Sequence, residues 1–290
     1  MGLNVSEHGA HTALLDLANE VKKVIFEQSH LNTIRLNAEE ATEAGEIASH
    51  INTMLSLIDS KHLKEKNILI REKESLDNAF NKFINEQIKQ EIINSNLQLG
   101  GKQVKATILF SDIRNFTALA NGIGAEKTVE FLNNYFGTMA SIISKNGGIL
   151  DKFIGDAIMA IFGPPQQYIN HADRAVESAI QMIESLKDFN DFIKTMGIPP
   201  VQHGIGINTG IVIEGIIGSD TKMEYTVVGD PVNIAARIES LTKKLHVNLI
   251  ISENTYNELS QHIKQHFIQY GKVKFKGIEK PIIVFVRGIK

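Results

Sequence analysis

From residue 1 to 99 apolar positions recur every three or four residues. One stripe holds Leu14, Leu17, Val21, Val24 and Ile25; a second holds Ile47, Ile51, Met54, Leu55 and Ile58; a third holds Leu76, Phe80, Phe83, Ile84, Ile88 and Ile92. That period predicts amphipathic helices, and a single stripe on a polar helix needs a partner helix to cover it. The stretch from about 66 to 96 has the form of a coiled-coil-like dimer helix. After residue 100 the pattern changes. Val104–Phe110 is β-rich and mostly apolar, as a strand buried on both faces would be. Helical spacing returns over 124–145, through Val129, Leu132, Phe136, Met139 and Ile143. Apolar segments at 148–154 and 157–162 flank Gly155-Asp156 and predict a hairpin. A helix over 171–196 is closed by Gly197 and Pro199-Pro200. The pattern then predicts a strand hairpin at 203–217, a strand at 223–228, a helix at 231–244 and a strand at 248–252. A short helix and closing strands near 267–276 and 281–287 complete the chain. The whole reads as an α+β domain with a mainly antiparallel sheet and packing helices, preceded by an all-α segment.

Glycine and proline sharpen that division: residues 1–99 hold three of the 22 glycines and none of the six prolines. Three regions follow: helices of unknown role over 1–65, a signalling or dimerisation helix and linker over 66–101, and the α+β domain over 102–290. A hydrophobic content of 43% is too apolar for a disordered chain, and a net charge of -3 argues against a nucleic-acid binder working by bulk electrostatics. The absence of cysteine removes disulfides, thiol nucleophiles and Cys-type zinc sites, and fits a cytoplasmic location. No apolar run approaches the ~20 residues of a membrane span, and no secretion signal opens the chain.

Two carboxylates stand where apolar strands stop, Asp112 after 104–110 and Asp156 at the hairpin tip. Either alone usually faces water or caps a helix. Together they could converge on a divalent cation, since Mg²⁺ takes one or two carboxylates plus substrate phosphates. Ile113-Arg114-Asn115-Phe116-Thr117 follows as a polar turn opening a helix, where free N–H groups can hold phosphate oxygens.

Four ordered segments carry a resemblance. Phe110-Ser111-Asp112-Ile113-Arg114-Asn115-Phe116-Thr117, Asp151-Lys152-Phe153-Ile154-Gly155-Asp156, Gly206-Ile207-Asn208-Thr209-Gly210 and Tyr225–Arg237 (YTVVGDPVNIAAR) resemble the class III nucleotide cyclases over roughly residues 99–288. The resemblance implies a ferredoxin-like catalytic domain and a head-to-tail homodimer with two sites at the interface, converting ATP to 3′,5′-cyclic AMP and pyrophosphate. It implies a metal site at Asp112, Ile113 and Asp156 for two Mg²⁺ or Mn²⁺ ions. Asn233 would orient the ribose and Arg237 would stabilise the pentavalent α-phosphate; at i, i+4 they share one helix face. Phe116 and Thr117 fall at the substrate turn. Lys276 lies where the family has a triphosphate-binding lysine, among Lys272, Lys274 and Lys280. Asn115 departs from the glycine of many members, but tolerates the left-handed conformation better than most residues.

Lys152 and Thr226 occupy the base-recognition positions. A lysine donates to adenine N1 and a threonine hydroxyl can accept from the N6 amino group, whereas guanine reverses that pattern. Guanylyl cyclases of the family carry Glu and Cys there, so the pair favours ATP. The competing readings are a guanylyl cyclase and a catalytically silent cyclase-like module, though the metal carboxylates, Asn233 and Arg237 are all kept. A diguanylate cyclase would need a Gly-Gly-Asp/Glu-Glu-Phe turn, and the matching hairpin reads Ile154-Gly155-Asp156-Ala157. The segment ending Asn94–Lys102 resembles the helix and linker that couple a sensor to bacterial cyclase domains, so an upstream regulatory partner is expected there. Leu31–Glu46 faintly resembles a chemoreceptor signalling hairpin.

Overall fold

The computed structural model describes residues 43–83, 89, 99–164, 169–219 and 221–287. The stripe at Leu14–Ile25 and nearly all of Leu31–Glu46 lie outside them. The chain divides into two units, Met1–Phe83 and Ile84–Lys290. In the first, helix α1 (Glu43–Phe83) runs for 41 residues, about 60 Å at 1.5 Å per residue. It crosses position 65 without a break, because no glycine or proline interrupts it after Gly45. Leu55 is buried, whereas Met54, Leu63, Leu69 and Leu76 are each more than 60% exposed. Of the stripes read from the sequence, Met54, Ile58 and Leu76 are thus exposed, whereas Leu55 is buried and Ile51 half-buried.

The second unit is an α+β domain. Its described elements, in chain order, are β1 (Gly100–Ile113), α2 (Phe116–Ile123), α3 (Ala125–Lys145), β2 (Ile149–Ile154), β3 (Ala157–Phe162), α4 (His171–Thr195), β4 (His203–Ser219) and β5 (Lys222–Val228). Then come α5 (Asp230–Leu245), β6 (Leu249–Ser252), α6 (Glu253–Glu258), α7 (Gln261–Lys264), β7 (Phe267–Val273) and β8 (Ile282–Arg287). The sheet runs β2-β3-β1-β4-β6-β8-β7, with β5 added to the far half of β4. Among the described strands only the β4–β6 pair is parallel.

Ala106–Leu109 of β1 are all fully buried, as a strand covered on both faces requires. One face carries the larger core, where Phe131, Tyr135, Met139 and Ile143 of α3 meet Ala175, Val176 and Met182 of α4. The other packs Ala106, Ile108, Met159, Ile161 and Val212 against Ala235 of α5.

One element differs from expectation. Residues 203–219 form one strand, not a hairpin; the turn comes after Ser219, where β4 pairs back on β5. Gly206 and Gly210 serve close approach instead of chain reversal. An added Cβ at Gly206 would lie 2.7 Å from the Ala235 carbonyl oxygen, and at Gly210 2.5 Å from Pro231 Cγ. Between them the Asn208 amide donates to the Pro231 carbonyl at 2.9 Å. Gly-Ile-Asn-Thr-Gly is thus a shallow groove into which α5 is pressed.

Candidate active site

Register brings the two carboxylates together. Ser111 faces Ile158 across the β1–β3 ladder, so one step further Asp112 meets the Gly155-Asp156 turn, with Gly155 at φ 64°. The two side chains are hydrogen-bonded, and Asp156 also accepts the Ile113 backbone N–H. Burial, then the hydrogen bond and charge of Asp112, push the Asp156 pKa up to about 6. Two carboxyl groups this close cannot both ionise easily without a cation. Among the described residues no set of three or more acidic or histidine side chains could hold a metal. Two carboxylates beside a backbone turn suit a hard cation that takes its remaining ligands from substrate phosphates.

The turn after Asp112 is built by Asn115, which sits in the left-handed region at φ 55°, ψ 31° as the N-cap of α2. Its carbonyl accepts from Ala118 and Leu119, so the N–H groups of Phe116 and Thr117 precede the first intrahelical bonds. The Phe116 ring stacks on Phe131 at 6.4 Å and thereby anchors the turn to the core. Beneath it, the Arg114 guanidinium donates to the Val247 carbonyl at 2.9 Å. Glu239 of α5 lies in the same charge cluster; burial, then the charge of Asp112, raise its pKa to about 7 against the pull of Arg114. Tyr135, itself bonded to His203 Nδ1 at 2.9 Å, reaches Ser111 at 3.5 Å.

A second group forms where β2 meets β5. The β2–β3 register steps from Leu150–Ala160 to Lys152–Met159, leaving Asp151 as the extra residue of a bulge. The Thr226 hydroxyl donates to Asp151 Oδ2 at 3.0 Å. Lys152 Nζ lies 3.6 Å from the same oxygen and 2.5 Å from Glu224 Oε2. Burial raises the Asp151 pKa, while Thr226 and Lys152 oppose it.

The third group lies on α5. Asn233 is exposed and Arg237 half-buried, one turn apart. Arg237, Lys244, Lys274 and Lys276 line one cleft between α5 and the β7–β8 loop. Gly277, at φ 75°, passes so close to Arg237 that an added Cβ would lie 3.5 Å from Nη2. None of these four cations is ion-paired among the described residues.

Residues 101–288 match the family model of the adenylate and guanylate cyclase catalytic domain. The chain belongs to the class III nucleotide cyclase family. It is 34% identical to an adenylate cyclase of Anabaena cylindrica over 253 residues, covering 84% of this chain and 48% of that protein. The domain superposes on a crystallised guanylyl cyclase with a TM-score of 0.60 at 37% identity, covering 65% of this chain and 94% of that one. The adenylyl cyclase CyaB of P. aeruginosa gives a TM-score of 0.59 at 35% identity, covering 66% and 97%. The chain spans about half the length of the Anabaena relative. Cyclases named for adenine and for guanine thus stand at similar distance.

Within this cyclase domain the residues read from the sequence fall into three clusters: Asp112, Ile113 and Asp156 with the Phe116-Thr117 turn; Lys152 with Thr226; and Arg237 with Lys276, beside exposed Asn233. No hydrogen bond or ion pair joins the first cluster to Arg237 among the described residues. Lys274 and Lys276 both line the cleft, whereas Lys272 and Lys280 do not. Asp151, Glu239 and Lys244 were missed by sequence reasoning. Asp151 stands beside Lys152 in its motif and Lys244 seven residues after Arg237, but the bulge and the loop that give them meaning are tertiary. No described helix is long and apolar enough to cross a membrane.

Proposed function

We propose that this domain is an adenylyl cyclase. The observation that carries the choice of ATP is the meeting of Lys152 and Thr226, from strands not adjacent in the sheet, over one buried carboxylate. Such a pair supplies a donor for adenine N1 and an acceptor for its N6 amino group. Asp112, Asp156 and the Ile113 backbone would hold two Mg²⁺ or Mn²⁺ ions, which when bound lower the pKa of the ribose 3′-OH and offset triphosphate charge. The 3′-oxygen forms a bond to the α-phosphorus as the bond to the bridging β-phosphate oxygen breaks, releasing pyrophosphate and the hydroxyl proton. Asn233 orients the ribose, Arg237 stabilises the charge developing on the α-phosphate, and Lys276 with its cleft neighbours holds the leaving group. The Phe116-Thr117 N–H groups face phosphate oxygens.

The site is shared by two subunits. Among the described residues no hydrogen bond or ion pair links the carboxylate cluster to the residues of the Arg237 cleft within one chain. Ile211, Ile213 and Val228 of β4–β5 and Phe153 and Ile154 of β2 stand exposed, apolar area that a second copy would cover. Helix α1 of the first unit would set the orientation of the pair under an upstream sensor, in the cytoplasm. The test is purified protein with Mn²⁺ or Mg²⁺ and either ATP or GTP, with chromatographic identification of product. Cyclic AMP supports the assignment. Cyclic GTP-derived product alone, or no turnover, overturns it.

A further inference from the structure

Asp151 has no part in the reaction described above, yet it is the best-buried carboxylate near the base pocket, its side chain 1% exposed. The β-bulge leaves it outside the β2–β3 ladder, free to turn toward β5. There Oδ2 accepts a hydrogen bond from the Thr226 hydroxyl at 3.0 Å, and Thr226 is itself only 7% exposed. A threonine hydroxyl has one proton and two lone pairs. An ionised carboxylate only accepts, so this partner dictates which way the hydroxyl points. The Lys152 ammonium, 3.6 Å from the same oxygen, favours the ionised form. Lys152 has three N–H bonds; Glu224 accepts one at 2.5 Å and Asp151 stands at ion-pair distance, so one remains for a ring nitrogen.

We propose that Asp151 is a specificity-determining positioning residue: by accepting the one hydrogen bond that the Thr226 hydroxyl can donate, it leaves that oxygen able only to accept a hydrogen bond. An acceptor-only oxygen matches the adenine amino group and meets the guanine O6 lone pairs with repulsion. Without the carboxylate the hydroxyl could rotate and donate to O6, since a bare threonine serves either base. Discrimination of this kind comes from the group left unpaired with the wrong substrate. The inference rests on the adenylyl reading, which it deepens.

The test uses the full chain and reads the ratio of kcat/KM for ATP to kcat/KM for GTP. Asp151→Asn keeps volume but offers an amide that can donate to Thr226 as well as accept from it. The expected result is a fall in the ratio of about tenfold or more, carried mainly by improved GTP turnover. Thr226→Val should also lower the ratio, and adding Asp151→Asn to Thr226→Val should change it no further, because the carboxylate then has no hydroxyl to orient. A merely structural aspartate would instead depress both nucleotides alike and act equally in either background. Thr226→Ser retains the bonded hydroxyl and should keep the ratio within about threefold of wild type; if it falls as far as Thr226→Val, the inference is overturned even should Asp151→Asn fail to fold. An unchanged ratio in folded Asp151→Asn overturns this inference alone. A wild-type protein that prefers GTP, or turns over neither nucleotide, overturns the adenylyl reading and this inference with it.

Discussion

Gly206→Ala is one methyl group, placed far from any reacting atom, and it should disable the enzyme. The new Cβ would lie 2.6 Å from Glu239 Cα and 2.7 Å from the Ala235 carbonyl oxygen, both backbone atoms of α5. Ordinary carbon contacts begin near ~3.5 Å, so the helix must retreat from β4 by about 1 Å. No flexible side-chain end is available to give way instead. Forcing an added carbon into such a contact costs about 1–3 kcal/mol of stability. The kinetic cost is larger, because α5 carries Asn233 and Arg237, and a misplacement of about 1 Å at reacting groups can cost ~100-fold in rate. The expectation is a folded protein with kcat down ~100-fold and KM for ATP changed far less, since in the proposed reaction Arg237 acts on the transition state. Gly137→Ala is the control: it lies within α3 with nothing within 4 Å of an added Cβ, and should raise stability by roughly 0.5–1 kcal/mol with kcat intact. Steady-state kinetics beside a thermal melt decides the matter. Wild-type kcat in Gly206→Ala would show that the groove does not position the helix.

Other outcomes follow from the same geometry. Asp112→Ala and Arg237→Ala should each be nearly inactive alone, yet regain about a quarter of wild-type activity when mixed, since half the dimers are then mixed and each keeps one of two sites; no recovery despite proven subunit exchange would place the whole site in one chain. His203 has its pKa lowered to about 3 by burial and then by the Arg114 charge, while the unfolded chain takes up that proton near pH 6.5. Its contribution is therefore complete above about pH 6.5 and lost as the pH falls toward 3, with a slope of up to about 1.4 kcal/mol per pH unit; His203→Gln should flatten urea-unfolding stability across that range, and an identical slope would refute this. One residue inserted after Glu74 in α1 rotates the register by ~100°, whereas seven restore it, so activity should drop and then return; equal activity in both would make the helix a passive tether.

What could be read in advance depended on how local each signal was. Asp112 and Asp156 were legible because apolar strands stop at them, and β1 because Ala106–Leu109 leave no polar face. The helical repeat alone put Asn233 and Arg237 on one face of α5, and only the family resemblance gave them roles. The segment 203–219 was misread because a glycine that reverses the chain and one that admits a helix are the same letter; only α5, more than twenty residues on, tells them apart. Asp151 could not be assigned from its neighbours, since strict alternation sends it to the face opposite Lys152. The bulge cancels that alternation. Lys274 and Lys276 could not be separated from Lys272 and Lys280 until the loop at Gly277 was seen to fold back on Arg237.

The distribution of charge gives the three clusters a common logic. Asp112, Asp156 and Glu239 crowd the end of β1, where Arg114 is set against them; burial first, and then the negative charge held at close range, raises the pKa of Asp156 and of Glu239. Arg237, Lys244, Lys274 and Lys276 crowd a cleft with no carboxylate paired to them among the described residues. The acidic cluster is costly alone, because like charges in a partly desolvated site repel, whereas Lys244, Lys274 and Lys276 stand exposed. A fold optimised for stability would set these two clusters against each other. Here the strand end and the α5 cleft keep them apart, so each stays available to a ligand bearing the opposite sign. A metal–nucleoside triphosphate bears both, cation toward the carboxylates and phosphates toward the cleft. In the proposed reaction that ligand would bridge the two, and its cation would relieve the repulsion among the carboxylates. In the proposed dimer the two halves that meet across it come from different chains, so the same electrostatics that weaken the single subunit tie substrate binding to the subunit interface.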